Sequence, residues 1–419
     1  MKANNNPKIE DPVTTPPLNP LRKLDCKTGF VGGQAAEIYT SWSGGRHRIL
    51  GGEDGSFCYH VMSRTCGGMK WFGDEEKEGF QKVMRRMARF SGVQVLTYAV
   101  MDNHFHILAR VPSRKRFLKR FEDEKCDYEG AGEDRLLEHL LILYSTTYVA
   151  QVRREIASMR ERGMEADVQK FLEKYKQRFC NLSLFVKEVK ERFSRWYNKK
   201  HERRGTLWMD RFKSVLVEDG LALRTMSAYI DLNAVRAGIV EDPKDYRWCG
   251  YAEAVAGSKR ARRGLCQVME MPQDSWSDTA VNQSGQRGSG SWYRCWLMTD
   301  GEEVEVDKAN ENHKIKAKVG IAKETLQKAL AKGGVLTPPE LLRCKIRYFT
   351  EGIVIGCKGF VDEWYGKNKE HFSPKREKGA KPIPNIAGPS QKGEQKPEQE
   401  PQTTASLYTL KAFLKVKPE

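Results

Sequence analysis

The sequence predicts an α+β protein: a ferredoxin-like split β-α-β fold with an antiparallel sheet and a helical insertion, followed by a small C-terminal helical unit. Two observations predict it. Between Phe57 and Tyr251 the apolar pattern alternates between strand and helix periods in the order β-α-β-β-α-β-α. Within that span, residues 115–178 are dense in Arg, Glu and Lys, a composition that suits a solvated helical hairpin or an inserted arm.

The elements follow in order. Residues 1–56 are rich in Pro, Gly, Asn and charge and read as a disordered arm, with one packed piece around Ala35 to Trp42. Phe57–Ser63 is β-prone and bounded by glycines, so it reads as a strand. Asp74–Phe90 carries Phe80, Val83, Met84, Met87 and Phe90 at helical intervals, with Asp74 as N-cap. Val93–Val100 and His104–Val111 read as strands joined by a tight turn at Met101-Asp102-Asn103. After the insertion, Asn181–Tyr197 is an amphipathic helix burying Leu184, Phe185, Val189 and Phe193. A basic turn leads to a strand at Ser214–Val217 and a helix from Ala222 to Asn233.

Downstream, residues 257–304 turn polar and Gly/Ser-rich and read as a linker. Residues 305–372 read as a small helical unit: Lys323–Ala331, Pro338–Phe349 and Lys358–Tyr365 are short helices, and a turn at Gly352–Gly356 gives the outline of a helix-turn-helix. Residues 373–419 read as a flexible tail with a short apolar end at Leu407–Val416.

The chain has 419 residues and a formal charge of +17, an excess of Lys and Arg that favours a polyanionic partner through counterion release. Ten cysteines without a CxxC pair indicate neither a zinc knuckle nor a disulfide framework. No stretch has the length and apolarity of a bilayer span, and the first twenty residues lack the apolar core of a signal peptide. The expected location is the cytoplasm, in association with the nucleoid.

Chemistry concentrates in two places. His104 and His106 stand two apart on a strand and share one face while Phe105 turns to the core, so two imidazoles can hold one metal ion and leave positions open for water and a phosphate oxygen. Paired histidines of this kind are also ordinary polar surface. Tyr229 and Asn233 stand four apart on one helix. Asn233 can supply a third, oxygen ligand and Tyr229 a nucleophile, although the same tyrosine also suits a helix surface with its hydroxyl in solvent.

Four motifs in order decide between these readings. They are Tyr59-His60-Val61-Met62-Ser63-Arg64, Ala99 to Leu108 around His104-Phe105-His106, Gly205 to Ser214 around Trp208-Met209-Asp210-Arg211-Phe212-Lys213, and Tyr229 to Val240. Together they resemble the signature of REP-associated tyrosine transposases, single-tyrosine HUH-type enzymes related to insertion-sequence transposases. The resemblance covers Phe57 to Tyr251 well and extends more loosely from Arg347 to Tyr365, within a domain that spans residues 57–256. It implies His104, His106 and Asn233 as ligands of a divalent ion, Mg²⁺ or Mn²⁺, and Tyr229 as nucleophile. It further implies cleavage of single-stranded DNA beside palindromic hairpins, with the 5′ phosphate left on tyrosine and a free 3′ hydroxyl. Ala234 stands where members often carry proline, a change compatible with the helix.

Around this site Arg203, Arg204, Arg211 and Lys213 interleave with Trp208 and Phe212, a pattern in which bases stack on aromatics while phosphates meet cations. The alternative puts both aromatics in the core. Arg236 is either a phosphate contact or a partner of the helix C-terminus. Arg343, Lys345 and Arg347 give the later helical unit a basic edge that can meet a hairpin stem. Partners expected are single-stranded DNA with hairpin or palindromic repeats and, as one option for assembly, a second copy of the chain in a homodimer. Two competing readings are a catalytically silent DNA-binding or regulatory protein derived from such a transposase, and a metal-dependent hydrolase that activates water and leaves Tyr229 idle.

Overall fold

The computed structural model describes residues 38–39, 48–49, 51–52, 54–122, 132–273, 275–277, 289–298, 349–350, 352–372, 376–383 and 407–411. The strands are β1 Ile38–Tyr39, β2 Arg48–Ile49, β3 Phe57–Arg64, β4 Gln94–Val100, β5 His104–Val111, β6 Lys213–Val217, β7 Gly352–Gly356, β8 Lys381–Pro382 and β9 Tyr408–Lys411. The helices are α1 Asp74–Ser91, α2 Arg114–Leu118, α3 Gly132–Leu140, α4 Thr146–Glu161, α5 Glu165–Lys176, α6 Leu182–Lys200, α7 Leu221–Asp231, α8 Asn233–Arg236, α9 Gly250–Val255, α10 Lys259–Val268, α11 Ser289–Met298 and α12 Lys358–Lys367.

A seven-stranded sheet in the order β4-β5-β3-β6-β7-β9-β8 organises these elements. Its first four strands are the expected ferredoxin-like unit, with β3 antiparallel to both β5 and β6 and β4 antiparallel to β5. Because side chains alternate along each strand, the sheet has two apolar faces. One carries Phe105, Ile107, Tyr59 and Val61 and packs on α1 and α6. Phe80 of α1 sits at its centre, edge to face with Phe193 and Trp208 and tilted against Phe105. The other carries Cys58, Leu108, Val215 and Val217 and packs on α7, α9 and α10.

Local chemistry sets the element ends. Helix α1 begins one residue earlier than an N-cap at Asp74 would have it: Gly73 is the N-cap, and Glu76 reaches back to accept from its N–H at 3.1 Å. Asp102 in the β4–β5 turn pairs with Lys77 at 2.7 Å, while the Met101 N–H donates to the His104 carbonyl at 2.8 Å and closes the hairpin.

The region read as a solvated arm is docked. Leu136, Leu137 and Leu140 of α3, Val149, Val152 and Ile156 of α4, and Val168, Leu172 and Tyr175 of α5 each form one buried helix face continuous with the sheet's core. The charges occupy the opposite faces except Arg135, which is buried and donates to the Arg120 carbonyl. Arg178 clamps the insertion to α6 through a two-point ion pair with Glu188, at 2.6 and 2.7 Å, and stacks over Phe90 at 4.2 Å.

Three expectations for the later chain are corrected. The linker contains two helices, α10 and α11. Helix α10 buries Ala261, Leu265, Cys266 and Val268 and approaches β4 so closely that a Cβ on Gly264 would lie 2.3 Å from the Leu96 carbonyl oxygen. Gly352–Gly356, read as the turn of a helix-turn-helix, is the fully buried strand β7, parallel to β6. The β-branched run Ile353-Val354-Ile355 favours a strand buried on both faces, and it satisfies the edge that β6 would otherwise expose. The tail contributes β8 and β9, with β9 antiparallel to β7 and Leu410 fully buried. Helix α12 matches the last predicted helix. Lys323–Ala331 and the basic edge at Arg343, Lys345 and Arg347 lie outside the described residues, as does most of the piece around Ala35 to Trp42.

Replacing Phe80 by Ala is expected to cost about 3–5 kcal/mol of stability in denaturant unfolding, through lost burial and a cavity among the rings of Phe105, Phe193 and Trp208. Replacing the exposed Arg204 by Ala should change it by less than about 0.5 kcal/mol.

Candidate active site

The register of three strands assembles the site. His104 lies opposite Arg64, His106 opposite Met62, and Leu108 opposite His60. Met62 and His60 in turn face Lys213 and Val215 on β6. Directly opposed residues project from the same side of an antiparallel sheet. His60, Arg64, His104, His106 and Lys213 therefore share one face, with Arg64 and Lys213 at its exposed margin.

Helix α7 covers that face and brings Tyr229 to the histidines. The Tyr229 ring stands edge-on to His106, with centroids 5.7 Å apart, and to His60 at 5.8 Å. The Arg236 guanidinium stacks over it at 4.5 Å, and the Phe349 ring lies nearly parallel to it at 5.1 Å. Tyr229 is thereby only 2% exposed. The helix does not run unbroken to Asn233 as expected. It ends at Asp231, Leu232 takes φ −81° and ψ 4°, and α8 starts at Asn233.

Asp231 fixes this end of α7. Its buried carboxylate accepts from the Thr97 hydroxyl on β4 at 2.7 Å, the Tyr251 N–H on α9 at 3.2 Å and the Tyr293 hydroxyl on α11 at 2.5 Å. Burial pushes its pKa up to about 7, against the pull of those three donors.

Burial also dominates the titration of the site. It holds His104 down to about 4 and His106 well below the ordinary imidazole range, with Arg64 and Arg236 adding repulsion at both. Tyr229 is raised by burial, and the charge of Arg236 together with its hydrogen bond opposes the rise. Both imidazoles are therefore neutral at physiological pH, the form that ligates a metal.

The residues present fit a divalent ion. His104 Nδ1 lies 2.7 Å from Asn103 Oδ1, whose amide nitrogen donates to the Gly68 carbonyl at 2.8 Å. Asn103 thus offers an acceptor, His104 carries its proton on Nδ1, and its Nε2 lone pair is left for a ligand. Asn233 is buried, and its Nδ2 has no hydrogen-bond partner among the described residues. That orphan is a donor, which does not bind a cation, so the fit to a metal rests on the two neutral imidazoles. Among the described residues, no three of His, Cys, Asp and Glu cluster as a metal site.

The residues read as a DNA track divide. Arg204, Arg211 and Lys213 are exposed. Arg203 hydrogen-bonds Asn198 and the Thr206 carbonyl and stacks on Trp71 at 4.2 Å. Trp208 and Phe212, read as stacking platforms, are core residues instead, 9% and 7% exposed. The Trp208 indole N–H donates to Ser194 at 2.8 Å, and its ring packs on Phe72, Phe80, Phe105 and Phe193. Between them the chain makes a run of bends after an isolated bridge from Trp208 to Thr65, which turns both rings inward and leaves Arg211 exposed. Three site residues had no assigned role in the sequence: His60, Arg64 and Asp231. All three lie inside the quoted motifs, and Asp231 stands two residues from both Tyr229 and Asn233.

A pH prediction follows from His104. Its folded pKa lies below its unfolded value of about 6.5, so the stability linked to keeping it neutral is fully present above pH ~6.5 and is lost as pH falls through about 4. Part of the ring retains solvent contact, so His104→Gln should flatten the acid-side slope of unfolding free energy by roughly 2 kcal/mol over that window, measured by denaturant titration at several pH values.

No curated protein matches the chain. A solved structure described as "Structure of the REP associates tyrosine transposase bound to a REP hairpin" matches at 13% identity and a TM-score of 0.29, over 55% of this chain and 92% of that one. Residues 55–123, the stretch that carries both histidines, are similar to the family model described as "Transposase IS200 like".

Proposed function

We propose that the protein is a metal-dependent endonuclease and strand transferase that cleaves single-stranded DNA beside palindromic hairpins through a covalent bond to Tyr229. The observation that carries the proposal is the convergence of Tyr229, His106 and Arg236 on one face of the sheet, with Asn233 one turn after the tyrosine. The IS200-like match over residues 55–123 supports it, and so do the four ordered motifs.

His104, His106 and Asn233 would hold Mg²⁺ or Mn²⁺, which when bound polarises the scissile phosphate. The Tyr229 oxygen attacks phosphorus and loses its proton to solvent. The bond from phosphorus to the 3′ oxygen breaks, and that oxygen leaves as a hydroxyl, taking up a proton. The 5′ phosphate stays on tyrosine, and attack by a 3′ hydroxyl reverses the step. Arg236 stabilises the phenolate and the phosphate charge as they develop, offsetting the cost of ionising a buried phenol. Arg64 and Lys213, at the margin of the same face, are placed to take backbone phosphates.

One observation favours the catalytically silent alternative: Tyr229 lies beneath Phe349, and DNA reaches its hydroxyl only when that cover opens. Incubating the protein with Mn²⁺ and a hairpin-bearing single strand separates the readings. A denaturant-resistant adduct that disappears in Tyr229→Phe is the expected result. An adduct that persists moves the nucleophile to Tyr246, Tyr251 or Tyr197, cleavage without an adduct favours water activation, and binding without cleavage favours the silent protein. In the same assay Arg64→Ala and Lys213→Ala should each weaken DNA binding and lower the slope of log affinity against log salt by about 0.7.

A further inference from the structure

We infer that His60 is a positioning residue that holds His106 in the tautomer a metal ion can use, and that His60 takes its own orientation from the main chain at Phe349. The inference rests on His106 being a ligand. The two histidines are diagonal neighbours on β3 and β5, their rings nearly parallel at 17° with centroids 5.1 Å apart. His60 Nε2 lies 2.8 Å from His106 Nδ1, and His60 Nδ1 lies 3.1 Å from the Phe349 carbonyl oxygen. Both rings are buried.

A carbonyl oxygen only accepts, so the contact with Phe349 requires a proton on His60 Nδ1. A neutral His60 then has a bare lone pair on Nε2. That lone pair accepts, so the proton between the two rings belongs to His106 Nδ1, and the lone pair of a neutral His106 lies on Nε2. The reverse arrangement sets a lone pair of His60 against the carbonyl oxygen, and a doubly protonated His60 buries a full charge. The order is thus directional: carbonyl, His60, His106, open Nε2. His104 reaches the same tautomer independently through Asn103. Outer-shell partners of this kind raise ligand basicity and fix ring orientation. Only this register sets an imidazole where a carboxylate or carbonyl usually serves.

The test has two arms on the full chain. Long-range ¹H–¹⁵N spectra of histidine-labelled protein without metal, with His106→Gln for assignment, should show both His60 and His106 protonated on Nδ1. A proton on His60 Nε2 overturns the inference. Calorimetric titration with Mn²⁺ alone should then show His60→Leu losing affinity by roughly 10-fold to 100-fold. His60→Gln, whose amide oxygen can accept in place of Nε2, should stay within about threefold of the parent. Equal Mn²⁺ affinity in a folded His60→Leu overturns the inference too. If His60→Leu does not fold, the tautomer spectrum of the unsubstituted protein decides alone. Failure of the unsubstituted protein to bind Mn²⁺ defeats the metal reading while leaving the tautomer arm to be decided on its own.

Discussion

The register between β3 and β5 is the constraint on which the rest depends. Phe105 and Ile107 enter one core and His104 and His106 the opposite face because the side-chain period is two. A slip of one residue would exchange them, burying two imidazoles among Phe80, Phe193 and Trp208 and turning two large apolar side chains toward Tyr229. The dense aromatic packing around Phe80 therefore sets the chemistry on the other side of the sheet without touching it. Helix α7 is held in register with the same face by Asp231, whose three donors come from three different elements. Tyr229 and the histidines are thus fixed to one sheet by separate means.

The parts legible in the sequence are those whose signal is local. Alternation around His104-Phe105-His106, the helical spacing from Phe80 to Phe90, and the Asp-Asn turn each carry their own period or turn chemistry, and the β-α-β-β-α-β-α order follows from them. Fold class was accordingly readable, and so was the meeting of Tyr229 with the histidines once four motifs were taken together. What was not readable depends on pairing. His60 has meaning only because the register sets it diagonal to His106, and Trp208 and Phe212 look alike in sequence whether their rings face solvent or core. Gly352 and Gly356 suggested a turn, yet they bound a strand whose partner, β6, lies more than a hundred residues earlier.

The C-terminal strands also change what the sheet is. The ferredoxin-like unit alone would end at β6, with unpaired backbone groups beside a basic margin. Addition of β7, β9 and β8 moves the edge away from the site, and it carries Phe349 onto Tyr229 and the Phe349 carbonyl onto His60. The later part of the chain is for this reason structural support for the earlier part, as well as any binding role it has of its own.

The docked insertion bears on how the molecule can be divided. Its charge density suggests an appendage that could be pruned to leave a minimal catalytic unit. The buried faces of α3, α4 and α5 instead close one flank of the same core that Phe80 occupies, and Arg178 and Glu188 neutralise each other only while both are present. Cutting there would leave Phe90 and Phe179 facing water and Glu188 with only the longer contact to Arg192 at 3.8 Å. The natural seam of this protein does not follow its composition, and a smaller version would have to be built by redesigning that flank.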